Sequence, residues 1–354
     1  MRVVSLLPSA TELLFAAGGG DLLVGRSHEC DWPLAAMCAP VLTSARIAHT
    51  AASAGEQSTA VDSAAIDAAV RASIAAGDSL YHLDEHLLRE LNPDVILTQD
   101  LCDVCSIALR SVERIAHTLP RVPKIINLNP TTVWQVLDDV LTVGEAIGRP
   151  AQAQAAATAL RDRLWTASER GAPFVDGPSV LFLEWTDPPF VGGHWTPELI
   201  TLAGGLHPLN AVGCKSRVAT PAEIIASAPE RIVVAPCGLP LAAVRTAMPA
   251  LERTEWWGKL PAVQRARQAH ARGEFSDAVM LVDGNQMFNR PGPRLVDALE
   301  WLAAWLNQRP EHAPAGFPAE PWRGSIPARS KALDAALRES VVSAANRCSG
   351  EYSA

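Results

Sequence analysis

The sequence predicts an α/β protein made of two lobes joined by a long α-helix. Three observations predict this. Short apolar segments with the length of buried parallel strands recur along the chain, and helical patterns separate most of them. A unit of helix, x-Pro-acid turn and apolar strand occurs once in each half, at Asp84–Thr98 through Asn92-Pro93-Asp94 and at Glu223–Ala235 through Ala228-Pro229-Glu230. Between the halves, residues 131–170 are rich in Ala, Leu, Gln and Arg, which are strong helix formers.

In chain order the expected strands are Val3–Leu7, Leu22–Gly25, Val95–Thr98, Lys124–Asn127, Ser179–Leu183, Arg231–Ala235 and Ala278–Leu281. A short helix is expected over Thr11–Ala17, with Ser9 as its cap and Gly18, Gly19 and Gly20 ending it. Asp84–Leu91 and Pro221–Ala228 read as helices stopped by Pro93 and Pro229. The linking stretch has Thr131 or Thr132 as its cap. Forty helical residues would span roughly 60 Å, with Gly144, Gly148 and Pro150 as places for a kink or a break. Residues 48–78 are Ala/Ser-rich and weakly patterned, and read as an insertion or a flap. The expected units are an N-terminal lobe over 1–130, the linking helix over 131–170, a C-terminal lobe over 171–308 and an appendage over 309–354 that packs on, or trails from, the C-terminal lobe. That appendage carries a helical pattern at Lys331–Ala345.

Composition removes several function classes. The chain has 354 residues, 48% hydrophobic and 19% charged, enough apolar surface to exclude disorder as its main state. Its net charge is −8 and it has no Lys/Arg run, against a nucleic-acid binder. No stretch reaches the ~18 uncharged apolar residues that a membrane span needs. The opening apolar run breaks at Pro8-Ser9, unlike a secretory signal. As written, the chain is expected in the cytoplasm, and in the periplasm if a leader has been removed. Seven cysteines (30, 38, 102, 105, 214, 237 and 348) make no disulfide framework. There is no Gly-x-x-x-x-Gly-Lys-Ser/Thr loop and no Gly-x-Ser-x-Gly elbow, against a P-loop or an α/β-hydrolase.

Ligands of open parallel sheets bind outside the carboxyl ends of the strands. The residues that follow each expected strand are therefore the candidates. They are Ser9, then His28, Glu29 and Trp32, then Asp100. From the second half come Trp185, Phe190, His194 and Trp195, then Asn285 and Phe288. Aromatic rings from separate loops suit a large planar ligand, although any one Trp also reads as a core residue. His28 and Cys30, with the Cys102-x-x-Cys105 pair, have the donor types that suit zinc or iron. The same thiols read equally as inert buried groups, a redox dithiol or a nucleophile.

The order of motifs resembles the cobalamin-type periplasmic solute-binding proteins of ABC importers. It runs from Arg2-Val-Val-Ser-Leu-Leu-Pro-Ser-Ala-Thr-Glu12 through Val24-Gly-Arg-Ser-His-Glu-Cys-Asp-Trp-Pro33 and Leu91-Asn-Pro-Asp-Val-Ile-Leu97. In the second half it continues with Asp187-Pro-Pro-Phe-Val-Gly-Gly193, Ala203-Gly-Gly205 and Ser216-Arg-Val218, and it closes with Phe288-Asn-Arg-Pro-Gly-Pro-Arg294. The resemblance covers roughly residues 1–308. It implies two Rossmann-like lobes of the class III type, no enzymatic activity, and a cobalamin or related corrinoid as the ligand between the lobes. It also implies docking of an ABC permease through acidic residues on the lobe tips, with Glu85 and Glu223 near the matching positions. Two alternatives stand beside it: a transition-metal or heme binder using the His/Cys cluster, and an enzyme with a cysteine nucleophile on the same fold. His28-Glu29-Cys30, Cys102-x-x-Cys105 and the longer 48–78 segment depart from the family pattern.

Overall fold

Alternate residues of the first strands point to opposite faces, so both faces of the first sheet become apolar. The computed structural model describes residues 1–46, 62–75, 80–100, 109–171 and 177–324. Lobe one runs β1 (Val3–Ser5), α1 (Pro8–Ala16), β2 (Leu23–Arg26), β3 (Thr43–Ala45), α2 (Ser63–Ala75), β4 (Tyr81–Leu83), α3 (Glu85–Leu91), β5 (Val95–Thr98), α4 (Leu109–Ala116) and β6 (Lys124–Asn127). Its main sheet has the order β2-β1-β5-β6 and is parallel throughout. Val3, Val95 and Leu97 pack under α1, while Val4 and Ile96 pack on the other face with Leu88, Val112 and Ile115. β3 and β4 pair as a separate antiparallel ribbon.

The connection is helical, but it is not one rod. It forms α5 (Val133–Ala146) and α6 (Pro150–Ser168), parted at Ile147-Gly148-Arg149. Gly148 has φ +73°, which favours glycine. Thr132 caps α5, its hydroxyl accepting from the Gln135 amide. Gly144 lies so close to Ala153 that a side chain on it would collide, so the two helices pack as a hairpin. Each helix serves both lobes. Val136 and Leu137 of α5 enter the core of lobe two, and Val140 and Val143 that of lobe one. On α6 the same division separates Leu164 from Ala153 and Ala157.

Lobe two runs β7 (Val180–Thr186), β8 (Pro189–Val191), α7 (Thr196–Leu202), β9 (Arg217–Val218), α8 (Pro221–Ala226), β10 (Arg231–Val234), α9 (Leu241–Glu252), α10 (Pro261–Ala271), β11 (Val279–Val282), α11 (Leu295–Leu306) and β12 (Ala319–Pro321). The sheet order is β12-β11-β10-β7-β8-β9, parallel across β7, β10 and β11 and antiparallel at both edges. The expected repeat is present in both lobes: Asn92 (φ +38°) and Ala228 (φ +43°) each end a helix just before the proline that precedes a strand.

One expectation is corrected and two are made more specific. Helix α1 begins at Pro8 with Leu7 at its cap, so Ser9 lies inside the first turn and caps nothing. The Ala-rich segment at 48–78 contains a regular helix, α2, because alanine has the highest helix propensity even without strong amphipathic patterning. Of the two readings of the region after residue 308, packed on lobe two or trailing from it, its first part, through residue 324, follows the former. β12 pairs with β11, and Trp322 is buried beside Trp257. Lys331–Ala345 lies outside the described residues.

Candidate functional site

The loops after the parallel strands of the two lobes meet one another. After β2, Ser27–Trp32 turns across the carboxyl end of lobe one. Arg26 holds the root of this loop, donating to the carbonyls of Ser27 and Cys30. Thr43 donates to the Ser27 hydroxyl (3.0 Å) and accepts from the His28 amide (3.0 Å). Its oxygen also lies 2.7 Å from His28 Nδ1. Threonine has one hydroxyl proton, and here it goes to Ser27, so the geometry assigns the imidazole proton to Nδ1. Nε2 of His28 is then an acceptor, buried without a partner among the described residues. Burial, and then the charge of Arg26, lower the His28 pKa below 6.5 and keep the ring neutral.

Glu29 is half-buried and Tyr81 donates to it across 3.4 Å. Burial raises its pKa, against the pull of Arg290. Trp32 is 45% exposed, and Arg294 of the opposite lobe lies 5.2 Å from its ring centroid. Asp100, after β5, is exposed, and its amide donates to Asn129 (2.8 Å).

In lobe two, Glu184 braces the loop beyond β8. Its carboxylate accepts from the Gly193 amide (3.2 Å), the Thr196 hydroxyl (3.4 Å) and the Ser216 hydroxyl. Any side chain on Gly193 would strike the backbone of Ser216, so this glycine serves close packing rather than flexibility. His194 has φ +52° and stacks on Trp195 (5.4 Å). Its Nε2 is buried without a partner among the described residues, and burial, then Lys215, lower its pKa. Trp185 and Phe190 face each other in the β7–β8 register and are half-buried. Trp185 Nε1 donates to the carbonyls of Asp187 (3.0 Å) and of Ser63 at the start of α2 (3.2 Å), while the Ser63 and Thr186 hydroxyls lie 2.8 Å apart. A lobe-one helix thus touches the strand ends of lobe two.

Four sequence-predicted residues take other parts. Trp195 is 5% exposed; its indole donates to the Phe288 carbonyl (2.6 Å) and its ring sits in the lobe-two core. Phe288 is 1% exposed, because its φ of +66° turns it inward against Phe182 and Trp301. Ser9 is buried in α1. Asn285 bridges the lobes, donating to Asp31 (3.2 Å) and accepting from Arg290 (3.1 Å).

The cysteine cluster divides. Cys30 is fully buried, the Thr11 hydroxyl lies 3.0 Å from its sulfur, and burial pushes its thiol up to about 11. A thiol so held is a poor thiolate donor or nucleophile. Cys102 and Cys105 lie outside the described residues. Among the described residues, no three His, Cys, Asp or Glu side chains are placed to hold a metal ion. Glu85 opens α3 and lies 3.9 Å from Arg114. Glu223 closes the capping box of α8 with Thr220 and pairs with Arg217 at 3.0 Å.

Sequence reasoning missed an ionic cluster between the lobes. Arg290 grips Asp31 with both nitrogens (2.5 and 3.1 Å). Arg294 grips Glu12 of α1 (2.6 and 3.1 Å), and Arg290 lies 3.5 Å from the same carboxylate. Glu12, the single charged residue of a helix that is otherwise apolar or hydroxylic, is the available signal.

Strand-end loops meeting between two α/β lobes on a helical connection define the class III periplasmic binding proteins, and this chain has their fold. The crystal structure of the periplasmic vitamin B12 binding protein BtuF of Vibrio cholerae superposes with a TM-score of 0.59 at 20% identity, over 88% of this chain and 98% of that one. The periplasmic heme-binding protein RhuT from Roseiflexus sp. RS-1 gives 0.61 at 20% identity, over 87% and 98%. In sequence, the vitamin B12-binding protein of Vibrio cholerae is 24% identical over 308 residues, 86% of this chain and 88% of that protein. No family model matches the chain. The resemblance to cobalamin-type solute-binding proteins is therefore a finding of the comparisons as well as of the motif order, and these relatives are binding proteins rather than enzymes.

Proposed function

We propose that the protein binds a flat macrocycle of the tetrapyrrole type, in the first place a cobalamin-like corrinoid, between its two lobes. The observation that carries this reading is the meeting of strand-end loops that leaves Trp32, Trp185 and Phe190 only partly buried. Apolar ring faces would bind the macrocycle at about 25 cal/mol per Å² of apolar area removed from water, and Glu29 and Asp100 would meet its polar rim. Relatives named for vitamin B12 and for heme favour this ligand class.

A specific observation favours a metal chelate in particular. His28 keeps its proton on Nδ1 toward Thr43 and leaves Nε2 an unpartnered acceptor, the tautomer of a histidine that ligates through Nε2; that atom is buried, so a bound chelate would reach it only with a shift of the loop. His194 carries a second unpartnered Nε2. Heme is accordingly the second reading. The relatives' names favour the periplasm; if an ABC permease is the partner, Glu85 and Glu223 are the acidic residues that would meet it, each from its position beside an arginine of its own lobe. No helix among the described residues is long and apolar enough to cross a membrane.

Absorption titration with cyanocobalamin and with hemin tests the reading. A saturable spectral change with one of them, weakened at least tenfold in Trp32→Ala and in Trp185→Ala, is expected. No change with either ligand would overturn it.

A further inference from the structure

The loop Ser27–Trp32 is held from two sides. Lobe one holds its root: the Ser27 amide donates to Ser5 (2.9 Å), the His28 amide to Thr43, and Arg26 clamps two carbonyls. Its tip, Asp31-Trp32, is held from lobe two. Both Asp31 oxygens accept from Arg290, Asn285 reinforces one of them, and Arg294 covers the Trp32 ring. Arg290 is 8% exposed and Glu12 4% exposed, so this is a desolvated cluster rather than a surface ion pair.

Position 290 calls for arginine. The guanidinium makes a bidentate fork on Asp31, donates to Asn285 and still lies 3.5 Å from Glu12. A lysine ammonium cannot reproduce that planar set. The neighbouring chain is built for the close approach: Gly292 lies where a side chain would come within 3.0 Å of the Glu12 carboxylate.

We propose that Arg290 is a positioning residue: from lobe two it fixes the tip of the lobe-one loop that presents His28, Glu29 and Trp32. That these side chains meet a ligand rests on the function proposed above, whereas the ordering of the loop by Arg290 does not. One consequence is that the loop has its shape only while the lobes keep this spacing, so the two halves of the binding surface form together.

The test is hydrogen–deuterium exchange of the ligand-free full chain, with amides 29–32 and 34–36 as reporters and strands β1 and β7 as internal controls. Arg290→Met and Arg290→Lys should each speed exchange of the reporters about tenfold while the strands hold. Asp31→Ala, at a side chain 40% exposed, keeps the test open if the Arg290 variants fail to fold, and it should loosen the same amides. Combining Asp31→Ala with Arg290→Met should add little to either alone. Exchange within twofold of wild type, or a uniform rise that includes β1 and β7, would overturn the proposal. Cyanocobalamin titration separates the two claims. If wild type does not bind it, the ligand reading is at fault and exchange alone decides on Arg290. If wild type binds and the loosened variants bind equally well, the positioning role is wrong.

Discussion

The strand-end loops of the two lobes carry similar residues and treat them in opposite ways. Lobe one leaves Trp32 45% exposed and buries Cys30 completely. Lobe two buries Trp195 and Phe288 and leaves Cys237, after β10, exposed. The backbone makes the difference. Positive φ at His194 and Phe288 turns those loops back over their own sheet, while Ser27–Trp32 extends toward the other lobe and is caught there by Arg290. A loop that reaches the partner lobe keeps its aromatic ring available, and a loop that folds home uses its ring as core.

The largest test of this contrast is truncation of the aromatic rings. Phe288→Ala and Trp195→Ala should each cost about 3–5 kcal/mol of stability, as expected for large rings removed from a packed core. Trp32→Ala should stay within about 1 kcal/mol. Urea unfolding of the three variants measures it, and an equal loss at Trp32 would erase the distinction.

Carboxylates sharpen it next. Glu12→Leu leaves two buried or nearly buried guanidinium groups without their shared partner, and should cost about 3 kcal/mol. Glu184→Leu removes the acceptor of the Gly193 amide and of the Thr196 and Ser216 hydroxyls, all in lobe two, and should cost about 2 kcal/mol. In addition, small-angle scattering should show a change in lobe spacing for Glu12→Leu, whose carboxylate joins the two lobes.

Much of the fold was legible in the residues. β5 and β6 have the bounds expected of them, because runs such as Val95-Ile96-Leu97 are β-branched or apolar throughout. Strands β3, β4, β8, β9 and β12 were not legible. They are two or three residues long, and pairing defines them more than their own pattern does: Arg217-Val218 is a strand only because Phe190 and Val191 lie beside it. The site was half legible. Position after a strand identifies a loop, but not which way its backbone turns, and that is why position alone puts Trp195 and Phe288 in the cleft. The ionic cluster joins residues 259 and 282 positions apart, a separation no local spacing reports.

Thiol reactivity inverts the aromatic contrast. With its pKa pushed up to about 11 by burial, Cys30 should resist iodoacetamide at pH 7.5 in the native protein, while exposed Cys38, Cys214 and Cys237 are labelled. Peptide mapping by mass spectrometry reads the pattern. Rapid labelling of Cys30 would mean that the lobe-one loop opens in solution, and would undo the picture of a loop held at both ends.

The smallest expected effect is the one the two lobes share. His28 and His194 both have pKa values lowered from 6.5 by burial, so both favour the neutral ring in the folded state. The unfolded chain then binds protons more readily than the folded one. Their contribution to stability is fully present above pH 6.5 and is lost as the pH falls from 6.5 through the lower folded-state values. Glu12 and Glu29 act in the other sense. Burial raises their pKa values, so their contribution is present below about pH 4.5 and is lost as the pH rises through the raised values. The urea midpoint of wild type between pH 5 and pH 7.5 sums these opposing slopes with those of His207, lowered by burial, and Asp139, which burial raises to about 7, so the variants are read as differences from wild type. His28→Asn and His194→Asn should each remove part of the acid-side loss and leave the carboxylate slope in place. If one substitution flattens the curve and the other does not, then only one lobe keeps its imidazole neutral by burial, and the two unpartnered Nε2 atoms are not equivalent candidates for the metal of a bound chelate.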